Sequence, residues 1–448
     1  MLAQFRDPNL SLWQSAIDET IHDDNPSWTL RPSLSVPDEP GRILREVARH
    51  CAAVAQEIPL AHLLSSEPAF AKLLNLPPAK TVQEQISYCS ALYLRKAKAL
   101  ASGDVNELAN VNAQLDFGTC DPKYALAVAK FVQYFEARRK PIPYIAPSGS
   151  NDSVVQIDDE KKCTIALVGD WGTGQQPAKT LLQRIAQRNP DIVIHLGDIY
   201  YSGTTYEAQN YFLKMFENVF ETDGNNFGTK GTPRVFTMAG NHDMYAGGSG
   251  YYWLLEQLGQ RASYFSLRNK YWRFVAVDTG FNDHDPLTVN STATRIQDKE
   301  LDWLKAQVEG ADDAKTVLLS HHPLFSAFED IDSKPINDPL LRQVRELLPR
   351  ITAWYWAHEH NLVIYKEYLN IHARLVGHGA FPVGIKELSA PKHPIPFYEN
   401  VVLGNDGTCF NHGYVLITLE GPEGKADYYE CGPAGDTLNH TEQLNNLP

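Results

Sequence analysis

Residues 163–172 read CTIALVGDWG and residues 192–201 read IVIHLGDIYY. Each is a short run of apolar and β-branched residues that stops at Gly-Asp. Runs this short, bounded by glycine, have the composition of buried strands and are too short for helices. The pattern recurs down the chain. Arg234–Met238 leads to Gly240-Asn241-His242-Asp243, Thr316–Leu319 to Ser320-His321-His322-Pro323, and Ile351–Trp356 to Ala357-His358-Glu359-His360. Phe274–Val277 is another such run, and helical patterns at Pro177–Gln187, Tyr206–Phe220 and Gln297–Val308 lie between the strands. Alternation of this kind predicts a layered α/β domain with a mostly parallel central sheet. The later runs, Ile351–Trp356, Leu362–Tyr368, Ala373–Val376 and Tyr414–Leu419, have no long helices between them. They predict a second sheet, and hence a sandwich with helices outside.

Upstream of Cys163 the pattern is helical. Apolar residues follow a helix period over Gly41–Ile58 and again over Thr81–Leu100. Asp121-Pro122 has the form of an N-cap followed by proline at the first helical position. No catalytic constellation lies here, which predicts an all-helical accessory or oligomerisation domain over residues 1–140. Residues 141–162 hold Pro141, Pro143 and Pro147 and then a Ser/Gly/Asn/Asp run, the composition of a linker. The α/β domain then occupies 163–448.

Composition bounds the function. The chain has 448 residues, 43% hydrophobic and 21% charged, which excludes a chain disordered throughout. Its net charge of −14 makes it a poor binder of nucleic acid or anionic membrane, and neither partner is expected. A bound cation can still reverse the field in one pocket. The six cysteines form no C-x-x-C pair, which points to a reducing compartment. The N-terminal MLAQFRDPNLSLWQ lacks a basic segment followed by an apolar run, and no apolar window reaches 18 residues. A cytoplasmic location is the expectation.

The strand ends carry the chemistry. Asp, Asn, His and Tyr follow one strand after another, and in open α/β sheets such positions gather at one edge. Carboxylate, imidazole, amide oxygen and phenolate are ligands for zinc, manganese and iron. Two such cations about 3.5–4 Å apart clamp a phosphoryl group and lower the pKa of a shared water. No cysteine lies in these turns, which argues against a structural zinc site, and no G-x-x-x-x-G-K-[ST] loop is present.

The ordered motifs Asp170-Trp171-Gly172, Gly197-Asp198-Ile199-Tyr200-Tyr201, Gly240-Asn241-His242-Asp243, a strand ending in His321, and His358-Glu359-His360 resemble the calcineurin-like metallophosphoesterases over roughly residues 163–419. The tyrosine of the second motif resembles the purple acid phosphatase branch. Many of these enzymes have D-x-H in the first motif. Here that histidine is Gly172, and the branch places a tyrosine as the replacement ligand. The family's usual G-H-x-H begins with Ala357 in this chain.

The resemblance implies a four-layer α/β/β/α sandwich following the helical N-terminal domain. It implies that Asp170, Tyr201 and His360 bind a first metal, that Asn241, His321 and His358 bind a second, and that Asp198 bridges them. Ferric iron is favoured at the first site, and iron, zinc or manganese at the second. His242 would contact phosphate or protonate the leaving group, with Asp243 orienting it. His322, the alternative ligand to His321, and His378, at the site wall, would lie beside the ligands or the substrate. The implied activity is hydrolysis of small phosphomonoesters by attack of a metal-bound hydroxide. A phosphodiesterase acting on substrates such as cyclic nucleotides, or a scaffold on a degenerate fold, is the alternative. Oligomerisation through residues 1–140 would fit the helical domain.

Overall fold

The computed structural model describes residues 8–22, 99, 102–115, 122–147, 149, 151–229, 231–283, 293–311, 313–387, 390–432 and 435–447. The predicted helix Gly41–Ile58 lies outside the described residues, as does Thr81–Leu100 apart from Ala99. The chain divides into two compact units, one containing Ala137–Pro448 and the other Leu12–Glu136. Three helices are described toward the N-terminus: α1 (Pro8–His22), α2 (Val105–Leu115) and α3 (Pro122–Arg138). Trp13 of α1 meets Phe131 of α3 edge-on at 5.8 Å. Buried Glu19 of α1 pairs with Lys130 and takes the Tyr134 hydroxyl, so neither buried charge stands alone.

Among the described residues the larger unit has thirteen strands: β1 (Val154–Gln156), β2 (Cys163–Val168), β3 (Ile192–His195), β4 (Arg234–Thr237), β5 (Phe265–Arg268), β6 (Trp272–Ala276), β7 (Lys315–Leu319), β8 (Ile351–Trp356), β9 (Leu362–Ile364), β10 (His372–Val376), β11 (His412–Glu420), β12 (Glu423–Gly432) and β13 (Gly435–Gln443). One sheet has seven strands in the order β1-β5-β6-β7-β8-β10-β9, and the other has six in the order β13-β12-β11-β2-β3-β4. β2, β3 and β4 run parallel, as do β6, β7, β8 and β10.

This corrects the expected division of strands. β6 and β7 leave β2–β4 and join β8 and β10, while β11 returns antiparallel to β2. Hydrophobicity could not show this, because both sheets bury both faces. Ile165, Leu167, Ile192 and Ile194 of one sheet meet Phe274, Val317, Leu319 and Tyr355 of the other in a shared core. Their neighbours along each strand point outward under helices. Ala166, Val168 and Val193 pack on Leu181, Leu182 and Ile185 of α4 (Gln176–Gln187). Val275, Leu318 and Trp354 pack on Trp303, Leu304 and Val308 of a helix spanning Asp298–Glu309. The result is a helix–sheet–sheet–helix order of layers.

The proline-rich stretch after α3 runs along this unit. Ile142 and Ile145 pack against Tyr251, Tyr252 and Leu255, the Tyr144 hydroxyl donates to Glu300 at 3.0 Å, and β1 pairs with β5. Proline holds the backbone extended, so alternate apolar side chains can face the domain. Among the described residues no helix is long and apolar enough to cross a membrane.

Candidate metal centre

β2, β3 and β4 end side by side, and β7 and β8 end against them from the facing sheet. Three of these strands break at a residue forced off the extended path. Asp170, Asp198 and His358 all have left-handed backbones, with φ of 54°, 74° and 72°. Such conformations are costly for residues with a Cβ and concentrate where a site demands them. Each turn aims its side chain at a common point. Glycines permit the close approach: a Cβ on Gly240 would lie 2.0 Å from Asp198 Oδ1.

Two donor sets meet there. In the first, the Tyr200 hydroxyl lies 2.9 Å from Asp170 Oδ1 and 2.8 Å from His360 Nε2. In the second, Asn241 Oδ1 lies 3.0 Å from His358 Nδ1 and 3.2 Å from His321 Nε2. Asp198 stands between them, its Oδ2 3.2 Å from the Tyr200 oxygen and 3.4 Å from His321 Nε2. All but His360 are buried to below a tenth exposure as whole residues.

Main-chain and side-chain contacts fix which lone pairs point inward. His321 Nδ1 donates to the Leu196 carbonyl at 2.9 Å, leaving Nε2 as an acceptor. The Asn241 amide donates to Tyr245 at 2.7 Å, turning its oxygen to the centre. Asp170 Oδ2 takes the His358 N–H and Asp198 Oδ1 takes the His242 N–H, leaving the other oxygen of each carboxylate facing in. Acceptors outnumber protons. With the His321 ring neutral, its Nε2 and Asn241 Oδ1 face each other as two acceptors, a conflict relieved by a further proton or by a cation, and the single Tyr200 proton serves three neighbours. A cation satisfies such a cluster, and oxygen and imidazole donors without thiolate suit zinc, manganese or iron. The groupings Asp170–Asp198–His321 and His321–His322–His358 are each compact enough to hold an ion.

The electrostatics carry the same demand. Burial disfavours a charged His321 ring, yet Asp198 and then Asp170 overcome it and lift the ring to about 9. Burial would raise Asp198, but His321 and His242 hold its carboxyl well below the usual carboxylate range. Burial, and then Asp170 and Asp198, push the Tyr200 phenol well above its ordinary value. The pocket calls for positive charge, and a bound cation would reverse the trend at the phenol.

Several sequence expectations need correction. The phenol among the acids is Tyr200, not Tyr201. Tyr201 contributes its backbone, whose N–H donates to Glu207 and whose carbonyl accepts from His242 Nδ1 at 2.6 Å. Asp243 does not orient the His242 ring. Its Oδ2 accepts the N–H groups of Asp198 and Gly240 at 2.9 and 2.8 Å, so it fixes the two turns. The ring of His242 is set by the Tyr201 carbonyl and lies between Tyr200 and Tyr245, with centroids at 4.6 and 4.8 Å. His322 lies beside His321 and His358, as expected, with both ring nitrogens engaged by Thr279 and Asp283. His378 is buried against Gly413 and does not join the cluster. Sequence reasoning missed Phe381, which stacks on His360 at 4.3 Å and closes that side. No motif marks it.

Residues 163–362 match the family model described as calcineurin-like phosphoesterase. No curated protein sequence matches the chain. Solved structures similar to it include GAP50, the anchor in the inner membrane complex of Plasmodium, at 14% identity over 63% of this chain and 89% of that one, with a TM-score of 0.45. A dimetal phosphatase from Danio rerio matches at 14% identity over 62% and 98%, with a TM-score of 0.40. PhoD matches at 12% identity over 64% and 70%, with a TM-score of 0.42. These are likenesses of fold alone.

Proposed function

We propose that this protein is a binuclear metallophosphoesterase that hydrolyses small phosphomonoesters. The observation that carries the reading is the pair of donor sets sharing Asp198, each short of protons and each rich in metal-ligand atoms. Asp170, Tyr200 and His360 would hold one cation, and Asn241, His321 and His358 the other, with Asp198 common to both. Two cations held there would supply Lewis acidity toward phosphoryl oxygens and would lower the pKa of a water.

The residues then divide the remaining work. His242 Nδ1 is tied to the Tyr201 carbonyl, so Nε2 is the ring atom available to substrate. From there it can pass a proton to the departing alcohol oxygen or hydrogen-bond the phosphoryl group. Burial lowers the pKa of the ring, while Asp198 and the Tyr201 carbonyl pull it the other way. Asp243 holds the Asp198 and Gly240 turns in register. The phenol in place of a first-motif histidine supports a purple acid phosphatase-like branch, with ferric iron in the first site and iron, zinc or manganese in the second. The reading fits a cytoplasmic enzyme whose N-terminal residues 1–140 serve an accessory or oligomeric role.

The test is one screen. Protein loaded with iron, zinc or manganese is assayed against a panel of phosphomonoesters and phosphodiesters, cyclic nucleotides included. Faster turnover of monoesters is expected. Preference for diesters would keep the centre and change the substrate class. A protein carrying two metals that turns over neither would leave a scaffold on an inactive fold.

A further inference from the structure

The loop after β6, Asp278–Asp283, contains no expected ligand, yet it touches the turns carrying two ligands of the second donor set. Gly280 is pressed on the turn leading to Asn241: a Cβ there would lie 2.5 Å from the Gly240 carbonyl oxygen and 2.6 Å from that of Ala239. Thr279 Oγ1 lies 3.0 Å from both the His322 N–H and His322 Nδ1. Its oxygen accepts the backbone N–H, and in the neutral ring, whose Nε2 faces the acceptor-only Asp283 carboxylate, Nδ1 takes the hydroxyl proton. The other ring nitrogen, Nε2, then carries a proton and donates to Asp283 Oδ2 at 3.0 Å. His322 is thereby locked in one tautomer and one orientation. Its ring lies 4.6 Å from that of His358 and 4.9 Å from that of His321. All three rings are buried.

The loop is itself anchored away from the centre. The Asp278 N–H donates to Glu300, the Phe281 N–H to Asp278 and the Thr294 hydroxyl to the Thr279 carbonyl.

We infer that Thr279, His322 and Asp283 are positioning residues for the second metal alone: they hold the imidazoles of His321 and His358 at the spacing that Asn241 and Asp198 require. The inference rests on the binuclear reading above. Partners one shell beyond the ligands commonly change metal affinity by about 10- to 100-fold when lost.

The test is a titration of metal-free, full-length protein with Mn²⁺, followed by calorimetry and by counting bound metal, together with melting of the metal-free chain. Thr279→Val keeps the shape and loses the hydroxyl, and Thr279→Ser keeps the hydroxyl. Wild type should bind two equivalents. In Thr279→Val the first equivalent should be unchanged and the second weakened by roughly 10- to 100-fold, and Thr279→Ser should restore it. Asp283→Asn is the second probe should the valine variant misfold, and it should weaken the same equivalent. Two equivalents of wild-type affinity in both Thr279→Val and Asp283→Asn would overturn the inference and leave the metal reading standing. Equal weakening of both equivalents would also overturn it, since that is a general structural defect. A wild type that binds no metal would remove the binuclear reading and this inference with it.

Discussion

Asp278 gives a prediction whose size follows from its surroundings. The residue is 0% exposed. Its Oδ1 accepts the Phe281 N–H at 2.9 Å, while Oδ2 has no hydrogen-bond partner among the described residues. Burial lifts its carboxyl from 3.8 to about 6, against the pull of Phe281, Ser263 and Gly280. The folded state therefore holds this proton more tightly than the unfolded state does. Its contribution to stability is complete below about pH 4 and is lost as pH rises through 6. Two units at about 1.4 kcal/mol each make the loss ~3 kcal/mol. Glu300, raised by burial and by Asp278, acts in the same direction. Asp278→Asn keeps the acceptor for Phe281 and removes the acid. At pH 3.5, below the unfolded value of 3.8, the variant should match wild type closely. At pH 7.5 it should be the more stable by up to ~3 kcal/mol, or a Tm gain of roughly 6 °C at about 2 °C per kcal/mol for a unit of this size. Thermal unfolding of metal-free protein at the two pH values measures it. An Asp278→Asn variant with the same pH dependence as wild type would show that Asp278 ionises freely in the fold, and the argument from burial would fail.

Other variants probe the centre directly. Asp198→Asn should nearly abolish turnover and lower metal content, because a neutral amide bridges two cations poorly; near-normal activity with two metals bound would exclude the shared role. His242→Ala should retain both metals and lose about 10²-fold in kcat, whereas metal loss would make His242 a ligand. In iron-loaded, oxidised protein, Tyr200→Phe should abolish any visible phenolate-to-iron band while Tyr201→Phe preserves it; the reverse result would restore Tyr201 to the coordination sphere. Gly240→Ala should lose metal content, since its new methyl would occupy the space of the Asp198 carboxylate; full occupancy would show that the turn can relax.

The site was legible in sequence to the extent that chemistry repeats at strand ends. Asp170, Asp198, Asn241, His321, His358 and His360 each follow an apolar run, and the structure brings all six together. The strands and helices were legible for the same reason: period and boundary residues are local properties. β1 and β5 were missed because each is only three or four residues long, and β12 and β13 because their residues mix polar and apolar character without a clean alternation.

What the sequence by itself determined is therefore the set of elements and the chemical types at their ends. Only the tertiary structure decided the rest. It sent β6 and β7 to the second sheet, because both faces of either sheet are apolar and pattern cannot choose between two buried neighbours. It placed Tyr200 rather than Tyr201 among the acids, because successive residues in a turn point in different directions and the packing of Phe381 and His242 selects one. It gave His322 to Thr279 and Asp283, since a histidine's partners lie wherever a distant loop comes to rest, and spacing along the chain carries no trace of that.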